Sequence, residues 1–284
     1  MLNNWVTWVV IYLVFATIFS QSFKKANRNM SDAGSLTILL ELFTAFFSLF
    51  FIPFFKLTIS HNPHTYLILI VVIIIYAFTD RLNIEARYGL STSTFSMLKQ
   101  LSSVFLVILG FVILKEKVVI TKVVGASLIL IANVGLAVDK DGKFKINKYF
   151  LMSLVSNILF AFGMLINVNI SGEFNLGIYT IITVLFPSIL ITLFGKHSIK
   201  ELKEEFNLYD KKRFLLSAFS WCVMLISSVR AYQLGSVSVV APLLTLTAII
   251  NTIYEFIFNK DKSEFIKKLI IGIIIIIGVL LIKK

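Results

Sequence analysis

Apolar and polar positions fall along this chain in long blocks rather than in the short alternation of a strand. Apolar runs of about 18 to 24 residues are separated by small clusters of charge, and a helix of that length just crosses a hydrocarbon core of about 30 Å at 1.5 Å per residue. The blocks predict helices over Trp5 to Gln21, Ser35 to Phe55, Thr65 to Arg87, Ser91 to Leu114 and Thr121 to Val138. After a basic linker, Asp139 to Lys148, they predict five more: Tyr149 to Asn169, Leu176 to Phe194, Arg213 to Tyr232, Ser236 to Phe258 and Phe265 to Ile282. The expected units are therefore residues 1–138, the linker 139–148, and residues 149–284. Lipid leaves no partner for a bare backbone group, so the runs should be helical, and the alternating stretches of a barrel are absent. The polar segment Gly195 to Lys212 is too short for a domain and is expected to lie as a helix on the membrane surface. The first run lacks a basic leader and a small-residue cleavage site, so it reads as the first helix.

Five helices on each side of a linker suggest an internal repeat. The stretch from Tyr88, YGLSTSTFSML, leads to a charged turn and resumes with Gly125, while YQLGSVSVVAPL from Tyr232 leads to a charged turn and resumes with Gly272. Tyr88 and Tyr232, Leu90 and Leu234, and Thr94 and Ser238 align at one offset. Halves with an odd number of spans are inverted in the membrane, an arrangement that alternating-access carriers use with a substrate site between the halves. The expected fold class is all-α: a polytopic membrane protein with about ten transmembrane helices in two inverted five-helix repeats.

Composition narrows the function. Hydrophobic residues make up 58% of the 284 and charged residues 15%, against about 25% charged in soluble domains. The net charge of +12 is spread over loops, which fits anionic lipid headgroups better than nucleic acid. One cysteine, Cys222, and the pair His61 and His64 beside Asn62 and Pro63 provide no disulfide framework and no metal-ligand set. No cofactor and no metal are expected.

Polar residues inside the apolar runs mark the candidate site. Lys99 lies about nine residues into its helix, roughly 13 Å deep, where an unpaired charge costs at least about 2.5 kcal/mol. On a continuous helix Thr92, Ser96, Lys99 and Ser103 share a face, with Gln100 beside them. Such a stripe is a wall for a translocation path; the plainer alternative is a lysine snorkelling to the interface and hydroxyls bonding their own backbone. Glu41 is the expected partner of Lys99 or carrier of a coupling proton, whereas Asp80, Arg81, Glu85 and Arg87 are expected to satisfy a helix end. In the ninth span Thr247, Asn251 and Glu255 recur every four residues, and Pro242 is expected to break the helix. Tyr12, Tyr88, Trp221 and Tyr232 read as interfacial anchors, and Gly272 and Gly278 as close-packing positions.

The run YAFTDRLNIEARYGLSTSTFSMLKQLSSVF, followed by LKEKVVITKVVGASLILIANVG, resembles the third to fifth helices of the drug/metabolite transporter superfamily. That superfamily includes EamA-type carriers and nucleotide-sugar or triose-phosphate transporters. The acidic turn residue, here Glu116, and the glycine opening the next helix, here Gly125, are the shared positions. The segment from Leu98, LKQLSSVF, looks closer to the sugar-phosphate carriers, in which Lys99 would meet a phosphate. Ser102 stands where the nucleotide-sugar pattern has a lysine, and the ninth span lacks the basic pair of the phosphate carriers.

The expected function is thus a secondary transporter of a small polar metabolite, with an anionic substrate as one option. Its expected setting is the cell membrane as a multi-pass protein, its partners a small-molecule substrate and membrane lipids, without nucleic acid, and a homodimer is left open. The alternatives are a membrane enzyme acting on lipid substrates, for which no carboxylate or histidine cluster appears, and a non-transporting accessory subunit of a lipid flippase. Orientation stays open: 19 Lys and Arg fall on one side and 7 on the other, which places the termini outside by the positive-inside rule. The resemblance implies termini in the cytoplasm.

Overall fold

The computed structural model describes residues 4–112, 119–137, 146–167, 170–235, 237–258 and 265–282, and among them every regular element is helical. In chain order the helices are α1 (Trp5–Ala26), α2 (Ala33–Leu49), α3 (Pro63–Gly89), α4 (Thr92–Leu98), α5 (Leu101–Val112) and α6 (Ile120–Ala137). There follow α7 (Lys148–Asn167), α8 (Leu176–Gly195), α9 (Ile199–Asn207), α10 (Lys211–Leu234), α11 (Val237–Ile257) and α12 (Phe265–Ile282). Six stretches are long and apolar enough to cross a membrane: α1, α3, Thr92–Leu109, α8, α10 and α12. Four shorter apolar helices, Ala33–Leu49, Ile120–Gly135, Lys148–Met164 and Leu243–Ile257, fall in the remaining predicted spans. Most of the linker, and Glu116, lie outside the described residues.

Polar residues in the loops start the helices. Asn4, Asp32, Asn62, Ser91, Asn175 and Asp210 each accept a backbone N–H from the first turn of the helix that follows. At Asp32 burial works against the charged form, but bonds from the Ser35 backbone and side chain and the Gly34 backbone, with the charge of Arg81, hold the carboxyl below its ordinary range. Helix α2 ends at Leu49, short of the expected Phe55. Pro53 has no N–H for the helical ladder, and the chain makes a 3₁₀ turn over Ile52–Phe54 instead.

Large apolar side chains cover the outside of the bundle, and small hydroxyls lie among the apolar residues of its inside. Val10, Val14, Ile70, Ile74, Ile131, Leu193 and Ile277 are exposed, while Ser20, Thr37, Thr44, Ser48, Ser217 and Ser220 are buried. So much exposed apolar surface fits a lipid surrounding better than water. Three of these hydroxyls bond their own helices, Thr37 to Ala33 O at 2.7 Å, Ser48 to Thr44 O at 2.8 Å and Ser217 to Arg213 O at 2.8 Å, while Thr44 reaches Ala218 O of α10 at 3.3 Å; such small side chains let neighbouring backbones approach.

Pairs of helices build the bundle: α1 packs most on α10, α3 on α7, α6 on α12, α2 on α8, and α4 on α11. Trp221, expected at an interface with headgroups, is buried in the first pair and stacks on Phe19 at 5.6 Å. A large flat ring fills more core there than an interfacial position would allow. The polar segment after α8 forms α9, whose inner side docks by Phe206 stacking on Phe43 at 5.5 Å and by buried Glu205, bonded to Ser31 and to Tyr209 Oη.

Gly125 and Gly278 carry the α6–α12 crossing. A Cβ on Gly125 would lie 2.4 Å from Gly278 O, and one on Gly278 would lie 2.7 Å from Gly125 O, so backbone meets backbone. Gly278→Ala is expected to push the helices apart and lower stability in detergent by about 1–3 kcal/mol, the usual cost of overpacking. An unchanged melting temperature would contradict this crossing.

Candidate functional site

The break falls in the fourth of the predicted spans, not in the ninth. Helix α11 continues through Pro242, whereas α4 stops at Leu98 and α5 starts at Leu101. Between them the ladder tightens: Gln100 N–H donates to Met97 O at 3.0 Å, Ser102 N–H to Lys99 O at 3.2 Å and Ser103 N–H to Gln100 O at 3.0 Å. These are i→i−3 bonds, so the bonds that Ser96 O and Leu98 O would accept in a straight α-helix are missing. Two side-chain amides replace them, Gln100 Nε2 on Ser96 O at 3.3 Å and Asn157 Nδ2 of α7 on Leu98 O at 2.9 Å. The single stripe expected on this span is therefore divided. Thr92 and Ser96 lie on α4, Lys99 and Gln100 at the break, and half-buried Ser103 on α5 beyond it.

Lys99 points into the bundle. Its Nζ sits 3.9 Å from the centroid of the Phe160 ring on α7, and it interacts electrostatically with Asp80 and Arg87 of α3. Asp80, not Glu41, is the carboxylate that faces Lys99. The reason is helix geometry: Asp80 is two turns inside the end of α3, and α3 packs against α4, while α2 packs against α8, α10, α3 and α9. Asp80 also meets Asn83, which accepts from Ser156 Oγ of α7 at 2.9 Å. Glu41 is fully buried, and its carboxyl group meets that of Asp80 in hydrogen-bonding position with no other side chain donating to it, so two carboxyl groups lie next to each other there. Arg87 is clasped between the rings of Phe19 at 4.7 Å and Phe95 at 4.1 Å, and Tyr12 of α1 lies near it. Two acids and two bases thus share the interior of α2, α3 and the α4–α5 break.

The other two charged residues of this stretch behave as helix-end ion pairs. Arg81 meets Glu85 at 3.3 Å and Asp32 at 3.9 Å, and Glu85 also meets Lys148 at 3.5 Å. Both are partly exposed.

A second polar group joins α1, α4, α11 and α12. Asn251 donates to Ser96 Oγ at 2.9 Å and accepts from Gln21 Nε2 at 3.1 Å, and Gln21 also donates to Thr92 Oγ1 at 2.9 Å. Glu255 accepts from Thr92 Oγ1, from Ser93 N–H at 3.1 Å and from Ser93 Oγ at 2.5 Å, so it caps the start of α4. Its counter-ion is Lys268 of α12 at 3.7 Å, and both side chains are buried. Of the ninth-span residues, Asn251 and Glu255 enter this network, while Thr247 bonds Leu244 O at 2.9 Å and touches Tyr12.

Gln21, Lys268 and the polar residues of α7, the helix expected over Tyr149 to Asn169, are not among the site candidates named from the sequence. On α7, Ser153, Ser156 and Asn157 are completely buried and Phe160 underlies Lys99. Their i, i+3, i+4, i+7 spacing in an apolar span was the available signal. Among the described residues no group of three or more His, Cys, Asp or Glu is placed to hold a metal ion.

No family model and no curated protein matches the chain. A solved structure described as "Crystal structure of protein" matches with a TM-score of 0.59 at 10% identity, covering 97% of this chain and 97% of that one. That likeness extends to the overall helical fold alone.

Proposed function

We propose that this chain is a multi-pass secondary transporter that carries a small polar metabolite across a membrane by alternating access, through ten crossings in two inverted five-helix halves. The observation that carries the reading is the set of Glu41, Asp80, Arg87 and Lys99 inside an apolar bundle, gathered at a helix break. Glu41 is buried and Asp80, Arg87 and Lys99 are partly buried; charges inside an apolar bundle are expensive and are kept where a pathway needs them. Broken helices line the sites of many carriers.

The helix pairing supports two related halves. If α4 and α5 count as one crossing and α9 is set aside, moving every crossing five places along turns the α1–α10 pair into α7–α3 and returns α2–α8, α4–α11 and α6–α12 to themselves. The α3–α4 and α10–α11 junctions also share a backbone: Leu90 has φ −110° and ψ 159°, Gly235 has φ −118° and ψ 158°, and their N–H groups donate to Ala86 O and Ala231 O. This equates Leu90 with Gly235 rather than with Leu234, one residue from the match of the sequences. Five crossings per half make the halves inverted.

In this reading an anionic group of the substrate competes with Asp80 for Lys99, so that binding and the rearrangement of the buried charges are one event. The test begins with thermal-shift measurements on purified protein against amino acids, nucleotide sugars, sugar phosphates and cationic drugs. A ligand at 100 times its Kd is expected to add about 2.7 kcal/mol of stability. The compound that stabilises should then enter proteoliposomes saturably and chemically unchanged. Its conversion to a product would assign the chain to the membrane enzymes, and failure of every stabilising compound to cross would favour an accessory subunit.

A further inference from the structure

The geometry points to Asn157 as the positioning residue of the site: its side-chain amide holds the α4–α5 break open and thereby sets where the Lys99 ammonium lies. The inference rests on the proposed transport function only in taking Lys99 as the residue to be placed.

The break removes the backbone donors of two carbonyls, Ser96 O and Leu98 O. Within lipid neither carbonyl has water to turn to, so a straight helix is favoured unless other donors are supplied. Gln100 supplies one from within the break, at the longer distance of 3.3 Å. Asn157 supplies the other across the helix interface at 2.9 Å, from a side chain that is 0% exposed. Its amide orientation is fixed by this bond, because Leu98 O accepts only from the NH₂ group. The Oδ1 atom is left buried with no hydrogen-bond partner. A buried bare acceptor opposes folding, so an amide at this position is not explained by stability alone. Leucine would fill similar space without that cost.

Phe160, three residues further along α7, lies on the same face and carries Lys99 Nζ at 3.9 Å from its ring centroid. One helix therefore holds the backbone immediately before Lys99 by a hydrogen bond and the end of its side chain by a ring. If Asn157 lost its donor, Leu98 O would be free to take back the Ser102 N–H, and α4 and α5 would join into one helix. The Cα of Lys99 would then turn relative to α3 and Phe160, and its ammonium would leave Asp80.

The test needs no substrate. Purified protein in detergent is treated briefly with a small water-soluble acetylating reagent, and acetylation at Lys99 and at exposed Lys200 is measured by peptide mass spectrometry. Asn157→Leu is expected to change the Lys99 rate about fivefold, the factor that a hydrogen bond of ordinary net strength puts on a conformational equilibrium. The Lys200 rate should not move. Asn157→Gln, which keeps the donor on a longer arm, should return part of the wild-type rate. A wild-type Lys99 rate in Asn157→Leu overturns the inference. So does an equal change at Lys99 and Lys200, which would make Asn157 merely a fold-stabilising residue. If Asn157→Leu cannot be purified folded, Asn157→Ser decides in the same way: a wild-type Lys99 rate overturns the inference and a changed rate supports it. Because acetylation reads position and not transport, a Lys99 response in a protein that carries none of the compounds above would leave this inference standing and remove the transport function.

Discussion

Replacing Lys99 with alanine is expected to lower transport in proteoliposomes more than tenfold while the protein still inserts and purifies. The substitution leaves Asp80 beside Glu41 with Arg87 as the remaining cation of the group, and Arg87 is already clasped by two aromatic rings. Removing one charge from this set leaves its neighbours uncompensated inside the bundle, and about 1.4 kcal/mol already corresponds to a factor of ten. Lys99→Arg keeps the charge but replaces a compact ammonium with a broad planar fork, so partial transport is expected. Lys99→Met keeps the apolar stem, and a lysine that merely snorkelled would tolerate it. The double change Lys99→Met with Asp80→Asn separates stability from function. It removes both partners, so it should restore the melting temperature without restoring transport. Normal uptake by well-folded Lys99→Met protein would end the role assigned to this residue.

The elements legible in the sequence were those fixed by local chemistry. Length and apolarity located the helices, and Asn, Asp and Ser caps such as Asp32, Asn62 and Asn175 started several of them. Lys99 was legible because a charge inside an apolar run has few structural explanations. Its partner was not, since the choice between Glu41 and Asp80 depends on which helix packs against α4, and that is a long-range property. The break was misplaced for a related reason. Pro242 is a local signal that lipid-embedded helices tolerate, while the real break at Lys99 and Gln100 depends on Asn157, fifty-eight residues beyond Lys99 and on another helix. Glu255 sat too near a helix end to be chosen from sequence; burial comes from α12 folding over it with Lys268.

That last pair should dominate the stability of the α4–α11–α12 contact. Glu255→Leu removes the acceptor of the Thr92 and Ser93 hydroxyls and of the Ser93 N–H, and leaves Lys268 with the Ser91 hydroxyl at 3.4 Å. Lys268 is only 7% exposed, so its ammonium has little water to compensate. The expected loss is about 3–5 kcal/mol, read from denaturation in detergent micelles. Lys268→Met should cost less, about 1–3 kcal/mol, because Glu255 retains its donors from the start of α4. The informative protein is Glu255→Gln with Lys268→Met, which removes both charges and keeps an acceptor oxygen near Thr92 and Ser93. It should be more stable than Glu255→Leu, and the cycle completed with Glu255→Gln alone should give a coupling of about 0.5–3 kcal/mol, as residues in one hydrogen-bonded network do. Additive single changes would mean that the carboxylate and the ammonium stabilise the bundle independently. In that case the cap on α4, and not the ion pair, is what joins the ends of these three helices.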